Sequence, residues 1–205
     1  WIAEVLKGHF GDRRLRILDV GCGGGFLSNY LAAQGHTVIG IDFAADALEV
    51  ARMFDESGKA IYVRGDAYHL PFPDSSFDVV CSMDFLEHVE EPAQAVREAA
   101  RLIAPGGLYF FHTFSRNWLA WLLIIKSVEW FVQNTPRNLH VLRLFIKPEE
   151  LVTMCSRSGL SVDCLRGIAP VPFSKAFWRM VFLNTVAGSF SFRFTRFTWL
   201  SYCGF

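Results

Sequence analysis

Short apolar runs alternate with stretches of helical periodicity over the first half of the chain, and this alternation constrains the fold more than any other feature. RILDVG, HTVIGID, AIYVRGD, FDVVCS and GLYFFHT are almost continuously apolar, as expected of strands in a parallel sheet covered on both faces. Helical patterns fill the intervals at residues 26–34, 45–57, 85–89 and 92–103, the last stopped by Pro105-Gly106-Gly107. Strand, helix and strand in repetition predict a doubly wound, Rossmann-like α/β sheet with helices on both faces. Beyond Phe111 the rhythm breaks. An aromatic stretch at 117–133 is followed by a loop around TPRNLHVLR, a helix at 148–158, a strand at LSVDCLRG and a Phe-rich tail.

A chain of 205 residues can bury one sizeable core without disulfides or metals. Twenty basic residues balance twenty acidic ones with no basic block, so nothing advertises a nucleic-acid partner. Five scattered cysteines without a CxxC pair fit free thiols in a reducing compartment rather than a disulfide frame or zinc site. The opening WIAEVLKGHF reads as an amphipathic helix met mid-pattern, not as a signal peptide, which points to further sequence upstream. The expected location is cytoplasmic, with peripheral association on the inner face of a membrane as an added expectation.

The first strand runs into GCGGGF, a turn that serves dinucleotides or simply a tight strand-to-helix connection. Its acidic neighbours discriminate between ligands. Asp19, two residues before Gly21, would repel a pyrophosphate and suit an ammonium or sulfonium. Asp42 ends the second strand, about twenty residues on, where it can accept both hydroxyls of a ribose. Asp66, ending the third strand, is placed to meet an adenine amino group. Either of the later acids alone would also serve as a helix N-cap. Together, the three describe a ribose, an adenine and a positively charged, phosphate-free tail: S-adenosylmethionine. Gly21 and Gly23 in the turn, with Phe43 and Ala67 beside the acids, complete the set read from position. A nicotinamide dinucleotide is the competing ligand.

LDVGCGGG, GID, GDAYHLPFPDSSFDVV, LEHV and RLIAPGG in combination resemble the class I methyltransferase pattern. FLEHVEEPAQAVREAARLIAPGGLYFFHTFSRN, with NLHVLRLFIKPEEL, is similar more narrowly to the ubiquinone-biosynthesis O-methyltransferases. The broad resemblance covers residues 17–113 and the narrow one extends to about residue 151, more weakly to 167. It implies a seven-stranded, mostly parallel sheet closed by an antiparallel C-terminal strand. It also implies cofactor contacts at Gly21, Asp42 and Met83, and an upstream cofactor-contacting arginine that precedes Trp1. Residues 1–205 then form a single domain, with 1–113 holding the cofactor and 114–205 supplying the acceptor side and the sheet edge. The acceptor implied is a phenol or catechol, a prenylated quinone precursor. Another small apolar metabolite, or a noncatalytic adenosylmethionine-binding module of a membrane complex, is the alternative.

A phenol titrates near pH 10 in water and needs a base or a cation to react at neutral pH. His88 and His140 are the candidate bases. Asp84, Glu87 and His88, at i, i+3 and i+4, would share one face if helical and could hold a divalent cation such as Mg²⁺. The resemblance supports a magnesium site of this form, usually with Glu at position 84. The bland reading makes Asp84 a helix cap and the other two cleft wall. His9, His36 and His69 lack such context, and His112, at a strand end, reads as core or cleft wall rather than catalyst.

Trp118, Trp121, Leu122, Ile125, Val128 and Val132 make one helical stripe. Its apolar run is shorter than the roughly 20 residues a bilayer span takes, so it either packs in the core, roofs the acceptor pocket or lies in a membrane interface. Phe173, Phe177, Trp178, Phe182, Phe190, Phe192, Phe194, Phe197 and Trp199, interspersed with Lys175, Arg179, Arg193 and Arg196, fit a surface for a polyprenyl tail and anionic headgroups, although the alternation of Phe192, Arg193 and Phe194 equally suggests an ordinary strand with one face solvated.

Overall fold

A computed structural model describes residues 1–122, 141–171 and 192–205. His140, most of the 118–132 stripe, and Phe173 to Phe190 of the tail lie outside the described residues. The elements run α1 (Ile2–Phe10), β1 (Arg16–Val20), α2 (Phe26–Ala33), β2 (Thr37–Asp42), α3 (Ala45–Met53), β3 (Ile61–Arg64) and β4 (Phe77–Met83). They continue with α4 (Pro92–Leu102), β5 (Ile103–Phe114), the short α5 (Trp118–Ala120), α6 (Pro148–Arg157), β6 (Leu165–Pro170), β7 (Phe192–Thr195) and β8 (Ser201–Gly204). One sheet joins the strands in the order β3-β2-β1-β4-β5-β8-β6-β7. β1 to β5 pair in parallel, whereas β8 runs antiparallel to both β5 and β6.

The apolar runs form central strands because consecutive residues feed opposite cores. Leu18, Val80 and Phe111 pack under α4 and α6 with Val96, Leu102 and Leu151. Ile17, Val79 and Phe110 pack on the other face against Leu6 of α1 and Leu31 of α2. Burial of each such side chain contributes about 1.5–3 kcal/mol, so a slip of one residue in any strand would exchange both sets at once. The antiparallel edge is fastened by Tyr202, fully buried, whose hydroxyl donates to the Ile146 carbonyl at 2.9 Å.

The mostly parallel sheet with an antiparallel C-terminal strand is as expected, with differences in detail. The sheet has eight strands among the described residues rather than seven, because Phe192–Thr195 adds β7 as an edge strand. LSVDCLRG contributes only its last residues to a strand that begins at Leu165. The helix expected at 85–89 is a single 3-10 turn, Leu86–His88. Five residues ahead of Pro92 are too few to nucleate an α-helix, and Asp84 takes a left-handed backbone with φ 52° that lies outside any helix.

Candidate active site

The carboxyl ends of β1 to β4 surround a cavity of about 630 Å³, at the point where the sheet order reverses between β1 and β4. Gly21 and Gly23 floor it with positive φ angles of 70° and 49°, a conformation that glycine adopts at little cost. A Cβ on Gly21 would drive into the Phe85 ring, whereas one on Gly23 would meet open space. Asp42 ties the turn to the next crossover: one carboxylate oxygen accepts the Gly23 N–H at 2.8 Å and the other accepts the Ala44 N–H at 2.9 Å. An ionised carboxylate has about four acceptor positions, so each oxygen retains one for a ligand hydroxyl.

Asp66 lines the same cavity, half exposed, and accepts the Tyr68 N–H at 2.9 Å. That hydrogen bond holds its carboxyl below the usual range. Phe43 and Ala67 also line the cavity; the Phe43 ring is 71 % exposed, with the Arg64 guanidinium 5.3 Å from its centroid. Tyr68, Phe85 and Glu90 join the wall. They were not singled out in the sequence, although Phe85 and Glu90 flank the LEHV motif.

Asp19 and Met83 stand elsewhere. Asp19, expected beside the ligand, is buried under the turn, where its carboxylate accepts the Ser28 hydroxyl at 2.7 Å. Burial pushes its carboxyl up to about 6. Met83 packs into the core on the α1 and α2 face, and the residues after it, Asp84 and Phe85, form the wall.

The expected cation triad is not assembled. Among the described residues no three His, Cys, Asp or Glu side chains converge as metal ligands. Asp84 turns to His112, with Oδ1 2.6 Å from Nδ1, while Glu87 is buried and accepts the Thr113 hydroxyl at 2.8 Å. His112 and Thr113 are successive residues of β5 and project to opposite faces of the sheet, so the two carboxylates are drawn apart. Burial pushes the Glu87 carboxyl up to about 7, with Oε1 left without a hydrogen-bond partner. His88 lines the cavity, and burial lowers its pKa. These donors do not fit a shared divalent ion.

The methyltransferase domain family matches residues 18–111. A ubiquinone biosynthesis O-methyltransferase of Thiobacillus denitrificans is 42% identical over 166 residues, covering 79% of this chain and 71% of that protein. The chain belongs to the ubiquinone biosynthesis O-methyltransferase family. A member from Klebsiella pneumoniae is 38% identical over 180 residues, covering 86% of this chain and 73% of its own. Among solved structures, an S-adenosylmethionine-dependent methyltransferase of Methanosarcina mazei superposes with a TM-score of 0.68 at 22% identity, over 98% of this chain and 94% of that one. The [4+2]-cyclase SpnF superposes at 0.62 and 21% identity, over 86% and 61%. At such identities the likeness concerns the fold, which hosts more than one chemistry. The enzyme is a methyltransferase with S-adenosylmethionine as its cofactor, and its cavity fits that molecule. Asp42, Asp66, Asp84 and Glu90 line it, with no lysine or arginine among the lining residues.

Two outcomes follow for this methyltransferase. A carboxyl raised to about 6 binds its proton more tightly folded than unfolded, so Asp19 lowers stability as pH rises from about 4 through about 6. Asp19→Asn keeps an acceptor for Ser28 without charge and is expected to gain on the order of 1–3 kcal/mol near pH 8 and almost nothing near pH 4. Urea denaturation at the two pH values measures this, and an equal effect at both contradicts the burial cost. Gly21→Ala is expected to weaken adenosylhomocysteine binding at least about tenfold by calorimetry. Gly11→Ala, with a φ of 69° but open space around it, is the control for backbone strain alone.

Proposed function

We propose that this enzyme transfers a methyl group to a hydroxyl of a phenol or catechol, a prenylated quinone precursor of the kind its relatives' names imply. The relatives' names support the acceptor, and the observation that supports the cofactor is a cavity wall that carries Asp42, Asp66 and Asp84, with Glu90 paired to Arg143 and no lysine or arginine among the lining residues. Such a wall repels the pyrophosphate of a dinucleotide and favours a cationic nucleoside. Bound S-adenosylmethionine supplies a methyl group activated by its sulfonium. In this reading Asp42 takes the ribose hydroxyls with its two remaining acceptor positions, and Asp66, Ala67 and Phe43 enclose the base. Gly21 and Gly23 let the backbone approach. Asp19 adds negative charge from beneath the turn, and Met83 sets the start of the wall formed by Asp84 and Phe85. His88 lines the cavity, and burial lowers its pKa against the opposing charge of Asp84, a shift toward the neutral form that a base requires. Residues 1–113 act as the cofactor half of one domain, and 114–205 supply the acceptor side.

An oily acceptor calls for an oily entrance. Trp118 is 73 % exposed, and Phe197 and Trp199 stack at 4.9 Å with Phe192 also exposed and Arg193 and Arg196 beside them. The Asn117 amide donates to the Trp199 carbonyl, bringing Trp118 and Trp199 to the end of β5, at the edge of the sheet that carries the cavity. Aromatic rings with interspersed arginines suit an anionic membrane surface. Among the described residues no helix is long and apolar enough to cross a membrane.

With labelled cofactor and a short-tailed catechol, label is expected in a methyl ether. Label only in other acceptors would assign a different metabolite, and cofactor binding without any turnover would assign a noncatalytic module. Flotation with vesicles containing anionic lipid is expected to carry the protein upward at low salt and to lose it in the Arg193→Glu/Arg196→Glu variant; absence from the vesicles at low salt would refute the membrane surface.

A further inference from the structure

Asp84 is the first residue after β4 and carries a left-handed backbone, φ 52°. A non-glycine residue holds that conformation at a cost on the order of a kcal/mol, and it persists only where its surroundings over-determine it. Here one residue does so twice. The Asp84 N–H donates to the His112 carbonyl at 3.1 Å, and the Asp84 carboxylate meets His112 Nδ1 at 2.6 Å. The imidazole is fixed in turn. Its side chain is 11 % exposed, and Nε2 lies 3.0 Å from the Ser201 hydroxyl, which sits 3.2 Å from the Ile168 carbonyl of β6. A line of polar contacts therefore runs from β6 through β8 and β5 to the tip of β4. It ends on a carboxylate whose side chain is 62 % exposed and which lines the cofactor cavity. The opposite pull on Glu87, toward Thr113, leaves Asp84 and Glu90 as the carboxylates of this segment that line the cavity, and Glu90 is held by both terminal nitrogens of Arg143 at 2.8 and 2.6 Å.

We infer that the Asp84 carboxylate is the group that accepts a hydrogen bond from the acceptor's hydroxyl, and that His112, braced by Ser201, is the positioning residue that aims it. This rests on the reading of the acceptor as a phenol or catechol. An imidazole that occupies one edge of the carboxylate leaves the remaining lone pairs directed at the cavity. It thereby selects acceptors that carry an O–H donor at the site of methylation or next to it. The antiparallel C-terminal strand acquires a role beyond closing the sheet, because Ser201 is its first residue.

The two nitrogens of His112 separate aiming from bracing. The amide of Asn reaches the Nδ1 position and that of Gln the Nε2 position. His112→Ala and His112→Gln are expected to lower kcat/KM for a short-tailed catechol at least about tenfold while the KM for S-adenosylmethionine stays unchanged. His112→Asn is expected to recover most of that loss. Asp84→Asn should cost as much as His112→Gln, and the double variant no more than either. Recovery by Gln instead of Asn, or an equal loss in both with a raised cofactor KM, would make His112 a brace of the sheet and overturn the inference. Unchanged kcat/KM in Asp84→Asn would overturn it as well. Wild-type enzyme that methylates no phenol or catechol would refute the acceptor assignment itself, and the inference with it.

Discussion

The carboxylate of Asp42 is the contact on which the site depends. By accepting from Gly23 and Ala44 it joins the turn after β1 to the turn after β2, alongside the Gly21 and Cys22 N–H groups that donate to the Ile41 carbonyl. The hydrogen bonds that shape the turn also orient the remaining lone pairs toward the cavity.

Charge follows the same logic across the sheet. Parallel strands deliver their carboxyl ends to one edge, where Asp42 ends β2 and acids follow β3 and β4 as Asp66 and Asp84. Asp19 is different, because its place inside β1 buries it, and its charge is stabilised only by Ser28, through the hydroxyl and the backbone. An enzyme that binds a sulfonium gains from this concentration of negative charge. A fold that had only to be stable would not.

The parallel half was legible because its strands are covered on both faces and read as unbroken apolar runs. Gly21, Gly23, Asp42 and Asp66 were legible because strand ends and glycine turns are local. The wall after β4 was less so. The spacing of Asp84, Glu87 and His88 matches a helical face, but the segment has only one 3-10 turn, and partners on β5 draw its two carboxylates to opposite sides of the sheet. His112, at a strand end, reads as core or cleft wall and is buried, but its partners are not legible, since Asp84 and Ser201 reach it across strand pairings separated by 28 and 89 residues.

By itself, the amino-acid sequence determined the α/β class, the glycine turn, the acids at the strand ends and the family, all of which depend on periodicity or short-range spacing. Only the tertiary structure decided which carboxylates share the cavity, that Asp19 lies beneath it, and that the antiparallel strand β8 reaches the site through Ser201 and His112. The physical reason is the sheet's register: it sets which strand ends are neighbours and which face each side chain takes, and both are settled by long-range packing.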